Sequence, residues 1–94
     1  MLQEVIRLHP PVPGDSKEAV RDDVLPDGTK VPKGAGVMYR PYLFGRSPLL
    51  WKDPLRFDPQ RFMGKKPSQF KYIAFNAGPR LCLGMNLALL VGEL

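Results

Sequence analysis

The stretch FNAGPRLCLG, residues 75–84, contains the only cysteine of the chain, Cys82. Gly78 stands four residues before the sulfur and Gly84 two residues after it, where a missing side chain lets a flat partner approach closely. Arg80, two residues before the cysteine, is a fixed cation that can bind a carboxylate through two parallel hydrogen bonds. The pattern therefore indicates a ligand-binding loop, although a lone cysteine is also often a small buried hydrophobic residue.

The sequence after the cysteine predicts a helix. MNLALLVGEL, residues 85–94, is strongly apolar and follows directly on Gly84. The amino-terminal end of such a helix carries a partial positive charge, and we expect its N–H groups to face the sulfur and favour the thiolate. A thiolate beside a cation is what an axial ligand of haem iron requires, and the haem propionates would give Arg80 its carboxylates.

The same loop resembles a family signature. The pattern F-x-x-G-x-R-x-C-x-G is the haem-binding signature of the cytochrome P450 family of haem-thiolate monooxygenases, and its fixed positions are here Phe75, Gly78, Arg80, Cys82 and Gly84. The resemblance implies that Cys82 is the metal ligand, that Arg80 binds a propionate and that Phe75 packs against the proximal face of the haem. The implied cofactor is haem b, iron protoporphyrin IX.

Two further motifs occur in the order in which the family has them. Glu4 and Arg7 match E-x-x-R of the family's K helix, and residues three apart on a helix can pair. FDPQRF, residues 57–62, resembles the P-x-R-F segment, in which Arg61 joins that pair in a buried charge network, although Gln60 replaces the common glutamate. Taken alone, the E-x-x-R pair is equally an ordinary surface ion pair. We expect these residues to be structural rather than catalytic.

The segment after the first helix also resembles the family. PPVPGDSKEAV, residues 10–20, is similar to the loop that passes over the haem and lines the substrate pocket, which makes residues 12–16 pocket candidates. By position, Lys17 matches a basic residue that contacts a propionate, and the alternative is a solvated lysine at a strand start. Together with Gly45-Arg46, residues 10–34 look closest to the fatty-acid ω-hydroxylase clans of plants and fungi.

The pattern along the chain predicts short elements separated by turns, because 11 prolines and nine glycines punctuate 94 residues. Residues 2–8 have helical spacing, and two prolines end that helix. Residues 17–39 predict short strands around the turns Pro26-Asp27-Gly28 and Lys33-Gly34, and residues 40–51 predict one short helix. The remaining segment before the signature has no period, so packing must hold it without a ladder or helix of its own. Its aromatic residues are expected to be mostly core: Trp51, Phe57, Phe62, Phe70, Tyr72 and Phe75.

The implied fold is α/β, mainly α in the parent protein, and residues 1–94 form one partial domain. It corresponds to the C-terminal, haem-binding part of the cytochrome P450 fold: the end of the K helix, short β hairpins, the meander, the Cys-ligand loop and the start of the L helix. We expect both ends of the chain to lie within helices that continue in the parent. The family's oxygen-activating I helix and N-terminal membrane anchor are absent from the sequence.

Charge and composition restrict the partners. The net charge of +5 comes from scattered lysines, whereas a nucleic-acid surface usually has clustered basic residues on a recognisable module. The simpler interpretation is that these lysines form a solvent-exposed basic surface. The alternative is that this surface binds an acidic protein. Lys65, Lys66 and Lys71, near the signature, would suit an acidic reductase. No apolar run is long enough to span a bilayer, and no targeting segment is recognised.

The resemblance implies a monooxygenase that uses O2 and two electrons to insert one oxygen atom into a C–H bond. The electrons are expected to come from NADPH through a reductase. The substrate is expected to be lipophilic and, more narrowly, a fatty acid. The parent is expected on the cytosolic face of the endoplasmic reticulum membrane, and residues 1–94 alone are expected to be inactive. Two alternatives stay open. One is a non-catalytic, truncated haem-binding product, and the other is a basic binding module with a structural cysteine.

Overall fold

Short helices and strands alternate with long connecting segments. The computed structural model describes residues 1–94. The elements in chain order are α1 (Leu2–Leu8), β1 (Asp15–Glu18), β2 (Asp23–Val24), β3 (Lys30–Val31), β4 (Gly36–Tyr39), α2 (Pro41–Gly45), a first 3₁₀ turn (Pro59–Phe62), a second 3₁₀ turn (Gly78–Arg80) and α3 (Met85–Gly92). The three predicted helices are thus confirmed. None of the helices is both long and apolar enough to cross a membrane.

The four strands form two nested antiparallel pairs. The outer pair joins β1 to β4, with Asp15 opposite Tyr39, and the inner pair joins β2 to β3. Both predicted turns are confirmed: Gly28 has a φ of 88° in the inner loop, and Gly34 has a φ of 83° before β4. Glycine adopts these positive φ values without a steric penalty, which explains its presence at both turns. The nesting brings β1 and β4 together across 17 intervening residues.

The most deeply buried side chains carry charge. Glu4 is 0% exposed and Arg7 is 1% exposed, in a chain that buries eight of its 94 residues. Arg7 Nε donates to Glu4 Oε2 at 2.6 Å, and Arg7 Nη2 donates to Glu4 Oε1 at 2.7 Å. Two parallel charge-assisted hydrogen bonds of this kind are stronger than neutral ones. The interpretation of E-x-x-R as an ordinary surface ion pair is therefore wrong for this chain.

Arg7 also binds three backbone carbonyls from a distant part of the chain. Its Nη1 donates to the carbonyls of Gly45 and of Pro54, the latter at 2.8 Å, and its Nη2 donates to Arg56 at 3.2 Å. The carbonyls of Gly45 and Pro54 have no other donor, whereas that of Arg56 also accepts from Arg61 Nη2 at 3.5 Å. A Cβ on Gly45 would overlap the Arg7 carbonyl oxygen, so α2 can lie this close to α1 only with glycine at that position.

The Glu4 carboxylate also binds the segment of residues 53–75 before the cysteine loop, which is called the meander below. Its Oε1 accepts the backbone N–H of Asp58 at 2.8 Å and lies 3.4 Å from Arg61 Nε. Arg61 Nη2 donates to the Asp53 carbonyl at 2.8 Å. The network expected among Glu4, Arg7 and Arg61 is therefore present. Because it receives donors from both sides, the carboxylate joins α1 to a segment more than 50 residues later.

Residues 52–75 depart from the prediction in one place. The segment was expected to have no helix of its own, but residues 59–62 form a 3₁₀ turn. Asp58 begins this turn, since its side chain accepts the backbone N–H of Gln60 at 3.1 Å, and Pro59 takes the first position. An acidic N-cap followed by proline is a known helix-start signal, and it explains the turn.

The aromatic residues form a partial layer beside the charged network. Trp51 is buried, and its Nε1 donates to the Phe44 carbonyl at 3.1 Å. Ring centroids lie 5.9 Å apart between Trp51 and Phe62, and 5.0 Å apart between Phe62 and Tyr72. The expectation that the aromatics are mostly core is wrong for Phe57 and Phe70, which are 48% and 67% exposed, because no other segment of the chain covers them.

The buried carboxylate makes folding stability depend on pH. Burial raises the pKa of Glu4, but hydrogen bonds from Arg7 and the Asp58 N–H, with the charges of Arg7 and Arg61, outweigh burial and hold that pKa below its ordinary value of 4.5. A lowered pKa in the folded state means that the stabilisation is complete above the unfolded value and is lost as pH falls through the folded one. We expect the free energy of unfolding, measured by denaturant titration, to decrease as the protein is acidified below pH 4.5.

The variant Glu4→Gln tests the source of this dependence. At neutral pH it should cost about 3–5 kcal/mol of unfolding free energy, because the Arg7 guanidinium is left buried without its counterion. It should also remove the part of the acid dependence that comes from Glu4. Glu93→Gln, at an exposed carboxylate, is the matched control and should change stability by less than about 0.5 kcal/mol. Equal stability of the two variants at pH 7 would contradict the assignment.

Candidate functional site

The loop that carries the cysteine is closed on itself by backbone hydrogen bonds. The N–H of Cys82 donates to the Phe75 carbonyl at 2.8 Å, and the N–H of Leu81 donates to the Gly78 carbonyl at 3.1 Å. Between them, Asn76 and Gly78 have φ values of 65° and 63°, which turn the chain sharply. The closed loop holds Cys82 at the surface, where it is exposed. Within this chain, Cys82 is therefore not a buried hydrophobic residue.

The two glycines of the signature serve different purposes. A Cβ on Gly84 would lie 3.8 Å from Cys82 Sγ, so a side chain there would fill the space beside the sulfur. Gly78 has nothing within 4 Å of its hypothetical Cβ, but its positive φ is unfavourable for other residues. The structure thus gives Gly84 a role in keeping space free and Gly78 a role in shaping the loop.

The first N–H group of the helix after the cysteine binds the Cys82 backbone rather than its sulfur. The N–H of Met85, the first residue of α3, donates to the Cys82 carbonyl oxygen at 3.3 Å. The prediction that the N–H groups at the start of this helix face the sulfur is therefore wrong for Met85. The physical reason is that a backbone carbonyl is a stronger hydrogen-bond acceptor than a cysteine sulfur.

An open cleft of about 1020 Å³ lies between β1 and the cysteine loop. Lys17 from the strand and Arg80 from the loop both line it, although they are 63 residues apart in the sequence. Leu81 and Leu83, the two neighbours of the cysteine, add apolar surface to the same cleft. Arg80 is exposed and forms no ion pair, so its guanidinium is available to an anion.

Lys17 is held in place by an acidic neighbour. Its Nζ donates to Asp15 Oδ2 at 2.8 Å and lies 5.5 Å from the centre of the Tyr39 ring. Hydrogen bonds from Lys17 and then Tyr39 lower the pKa of Asp15, and the hydrogen bond to Asp15 in turn raises the pKa of Lys17. The Lys17 side chain remains partly exposed to solvent, so its pairing with Asp15 is a surface ion pair and the alternative of a solvated lysine at a strand start stays open. This pairing was not predicted, although the i, i+2 spacing on one strand face signals it.

A second open cleft, of about 650 Å³, contains most of the predicted pocket residues. Four of the five candidates line it, whereas Val12 does not. Met38 and Arg40 line it as well. Asp15 and Ser16 also line the larger cleft, so the two spaces meet at the start of β1. The candidates that line the smaller cleft are Pro13, Gly14, Asp15 and Ser16.

The residues around the larger cleft fit the chemistry of haem. Cys82 offers an exposed sulfur with free space beside it at Gly84, and an iron–thiolate bond needs both. Lys17 and Arg80 offer cations to carboxylates from two walls of one cleft. Phe75 is half-buried, with its ring 6.4 Å from that of Tyr72, and so supports the base of the loop.

Comparisons with known proteins agree with this geometry. The family model described as "Cytochrome P450" matches residues 1–93. Cytochrome P450 86B1 of Arabidopsis thaliana is 49% identical over 92 residues, and Cytochrome P450 94A1 of Vicia sativa is 47% identical over 98 residues. Each alignment covers 93% of this chain, but the chain spans only 16% and 19% of those two proteins. The solved structure of retinoic acid-bound cyanobacterial CYP120A1 aligns with a TM-score of 0.82 and 39% identity, covering 95% of this chain and 22% of that one.

Proposed function

Because the chain belongs to the cytochrome P450 family, we propose that the protein containing it is a haem-thiolate monooxygenase with Cys82 as the axial ligand. The observation that carries the proposal is the exposed sulfur in a closed signature loop beside a cleft lined by two cations. Bound haem would supply the oxygen chemistry, in which O2, two electrons and two protons place one oxygen atom in a C–H bond and release the other as water.

The residues of this chain would bind and orient the cofactor. Cys82 would give its thiolate to the iron, and the electron-rich sulfur favours O–O cleavage. Arg80 and Lys17 would bind the propionates and so fix the rotation of the haem in its plane. Phe75 would pack against the proximal face, and Gly84 would leave space for the ring beside the sulfur. Residues 1–94 alone are proposed to be inactive, because the cleft beside β1 is open to solvent on its far side.

The Cys82→Ala variant of the full-length protein tests the ligand assignment. After reduction and addition of carbon monoxide, the wild type should show the red-shifted Soret band that is characteristic of thiolate ligation, and the variant should lack it. Lys33→Glu, in the turn between β3 and β4, is a control that should retain the band. A wild-type spectrum without a thiolate-type band would contradict the proposed function.

We further propose that the substrate is a lipophilic carboxylic acid, with a long-chain fatty acid as the example to test. The solved relative is described with retinoic acid bound, which is a lipophilic acid. The cleft lined by Pro13 and Gly14 also holds the side chain of Arg40, which is exposed and forms no ion pair, and which offers a cation to a carboxylate.

Paired substrates test this substrate class. The full-length enzyme should hydroxylate a long-chain fatty acid with a KM about tenfold below that for the alkane of equal length, since only the acid offers a carboxylate to an arginine. Arg40→Met should raise the KM for the acid and leave that for the alkane unchanged. Equal KM values for the acid and the alkane in the wild type would refute the role of the carboxylate.

An NADPH-dependent reductase is the proposed electron donor, docked on a basic surface next to Trp51. Lys71 Nζ lies 4.4 Å from the centre of the Trp51 ring, and four lysines surround a shallow hollow at this place. A cluster of one charge sign speeds and orients encounter with a partner of opposite charge. The lysines of this basic surface are Lys52, Lys65, Lys66 and Lys71.

Charge reversal tests the docking surface. The double variant Lys65→Glu/Lys66→Glu should slow reductase-driven turnover about tenfold at low salt, because rim charges mainly set association rates. Turnover driven by peroxide, which bypasses the reductase, should stay unchanged. Lys30→Glu/Lys33→Glu, on the distant hairpin, is the matched control. An unchanged reductase-driven rate in the first double variant would count against this surface.

The cytosolic face of the endoplasmic reticulum membrane is the proposed location of the full-length protein, as for a monooxygenase served by a membrane-bound reductase. Subcellular fractionation tests this, with the protein expected in microsomes. Recovery in the soluble fraction would contradict it.

A further inference from the structure

A single hydrogen bond joins the two walls of the larger cleft. Tyr39 lies on β4, which pairs with the strand that carries Lys17. Asn76 lies in the loop that carries Arg80 and Cys82. The Tyr39 hydroxyl and the Asn76 side-chain amide are hydrogen-bonded across the 37 residues that separate them in the sequence. The proposed function assigns no role to either residue.

The Tyr39 hydroxyl faces two acceptors. It lies 2.7 Å from Asp15 Oδ2, and Asp15 is an acceptor because hydrogen bonds from Lys17 and Tyr39 lower its pKa. The same hydroxyl donates to Asn76 Oδ1. Because a hydroxyl carries one proton, the two acceptors share it. Asp15 also accepts from Lys17, so Tyr39 connects the partner of Lys17 to Asn76.

The bond holds the loop close to the point where it closes. Asn76 follows Phe75, whose carbonyl accepts the N–H of Cys82 at 2.8 Å. Asn76 itself adopts a φ of 65°, a left-handed conformation in which asparagine is enriched among residues other than glycine. On the other wall, Tyr39 lies opposite Asp15 in the strand register. The link therefore connects the paired Lys17 to the base of the cysteine loop.

We propose that the Tyr39–Asn76 hydrogen bond is a clasp that fixes the separation of Lys17 and Arg80 across the cleft, and that Tyr39 and Asn76 are positioning residues for the haem propionates. The proposal rests on the proposed function. Neither residue needs to contact the haem. Their effect is to hold two cations, one on each wall, at the spacing that two carboxylates require.

The variant Tyr39→Phe tests the clasp in the full-length, haem-loaded protein. It removes one oxygen atom, retains the ring near Lys17 and alters no charge. Because a hydrogen bond between neutral groups contributes modestly, haem release to apomyoglobin should accelerate about fivefold. With haem dimethyl ester, which has no carboxylates, the release rates of wild type and variant should be equal. A merely structural role would accelerate the release of both haems alike.

Asn76→Gly provides an independent variant if Tyr39→Phe folds poorly. Glycine tolerates the positive φ, so this variant removes the amide without adding backbone strain. It should accelerate haem release as Tyr39→Phe does, although Tyr39→Phe also removes the hydrogen bond to Asp15. The double variant should release haem no faster than Tyr39→Phe, because both substitutions remove the bond between Tyr39 and Asn76. Tyr42→Phe is the matched control, since its hydroxyl makes no side-chain hydrogen bond, and its release rate should equal that of the wild type.

The outcomes separate the two proposals. A wild-type protein that shows no Cys82-dependent thiolate spectrum refutes the proposed function, and the clasp with it. A wild type with that spectrum, combined with unchanged haem release in both Tyr39→Phe and Asn76→Gly, refutes the clasp alone. Equal acceleration with haem and with its dimethyl ester also refutes it, because the bond would then act without the propionates.

Discussion

The buried ion pair between Glu4 and Arg7 is the interaction on which the rest of the structure depends. Its two side chains are the least exposed in the chain, and their remaining hydrogen-bonding groups bind the backbone around residues 45–58. Removing two charges from water costs several kcal/mol, which is repaid only when geometry and additional hydrogen bonds are good. Here the partners are mostly backbone groups of segments without regular ladders, so the same contacts that satisfy the charges also hold those segments.

The ion pair is connected to the cysteine loop through residues 53–75. The meander is fixed to α1 at Asp58 and Arg61, and its aromatic side chains then lead from Trp51 through Phe62 and Tyr72 to Phe75. Each ring pair has the tilted or edge-on geometry that aromatic groups prefer. Phe75 is also the residue whose carbonyl closes the loop on Cys82. A continuous series of contacts therefore connects the ion pair to the sulfur.

The sequence allowed the three helices, the two glycine turns and the signature loop to be predicted, because these depend on local spacing and on residues with strong conformational preferences. Spacing alone could not establish the burial of Glu4 and Arg7, since i, i+3 pairs look identical on a surface and in an interior. The pairing of Lys17 with Asp15 and the contact of Gly45 with Arg7 were also missed. The Gly45 contact depends on how distant segments approach, as does the exposure of Phe57 and Phe70, whereas the Lys17 pairing is local and is signalled by the i, i+2 spacing on one strand face.

Lys17 and Arg80, the two cations of the larger cleft, differ in whether an acidic side chain pairs with them. Lys17 is offset by Asp15, which weakens its attraction for an anion but removes much of the rotational freedom that a long side chain otherwise loses on binding. Arg80 has no acidic partner, so it retains its full charge and its planar set of donors for a carboxylate. A cleft with two free cations would bind many anions without orienting them, and one with two paired cations would bind few. A cleft with one paired and one unpaired cation, on walls that neutral side chains join, favours a ligand whose two carboxylates have a defined separation.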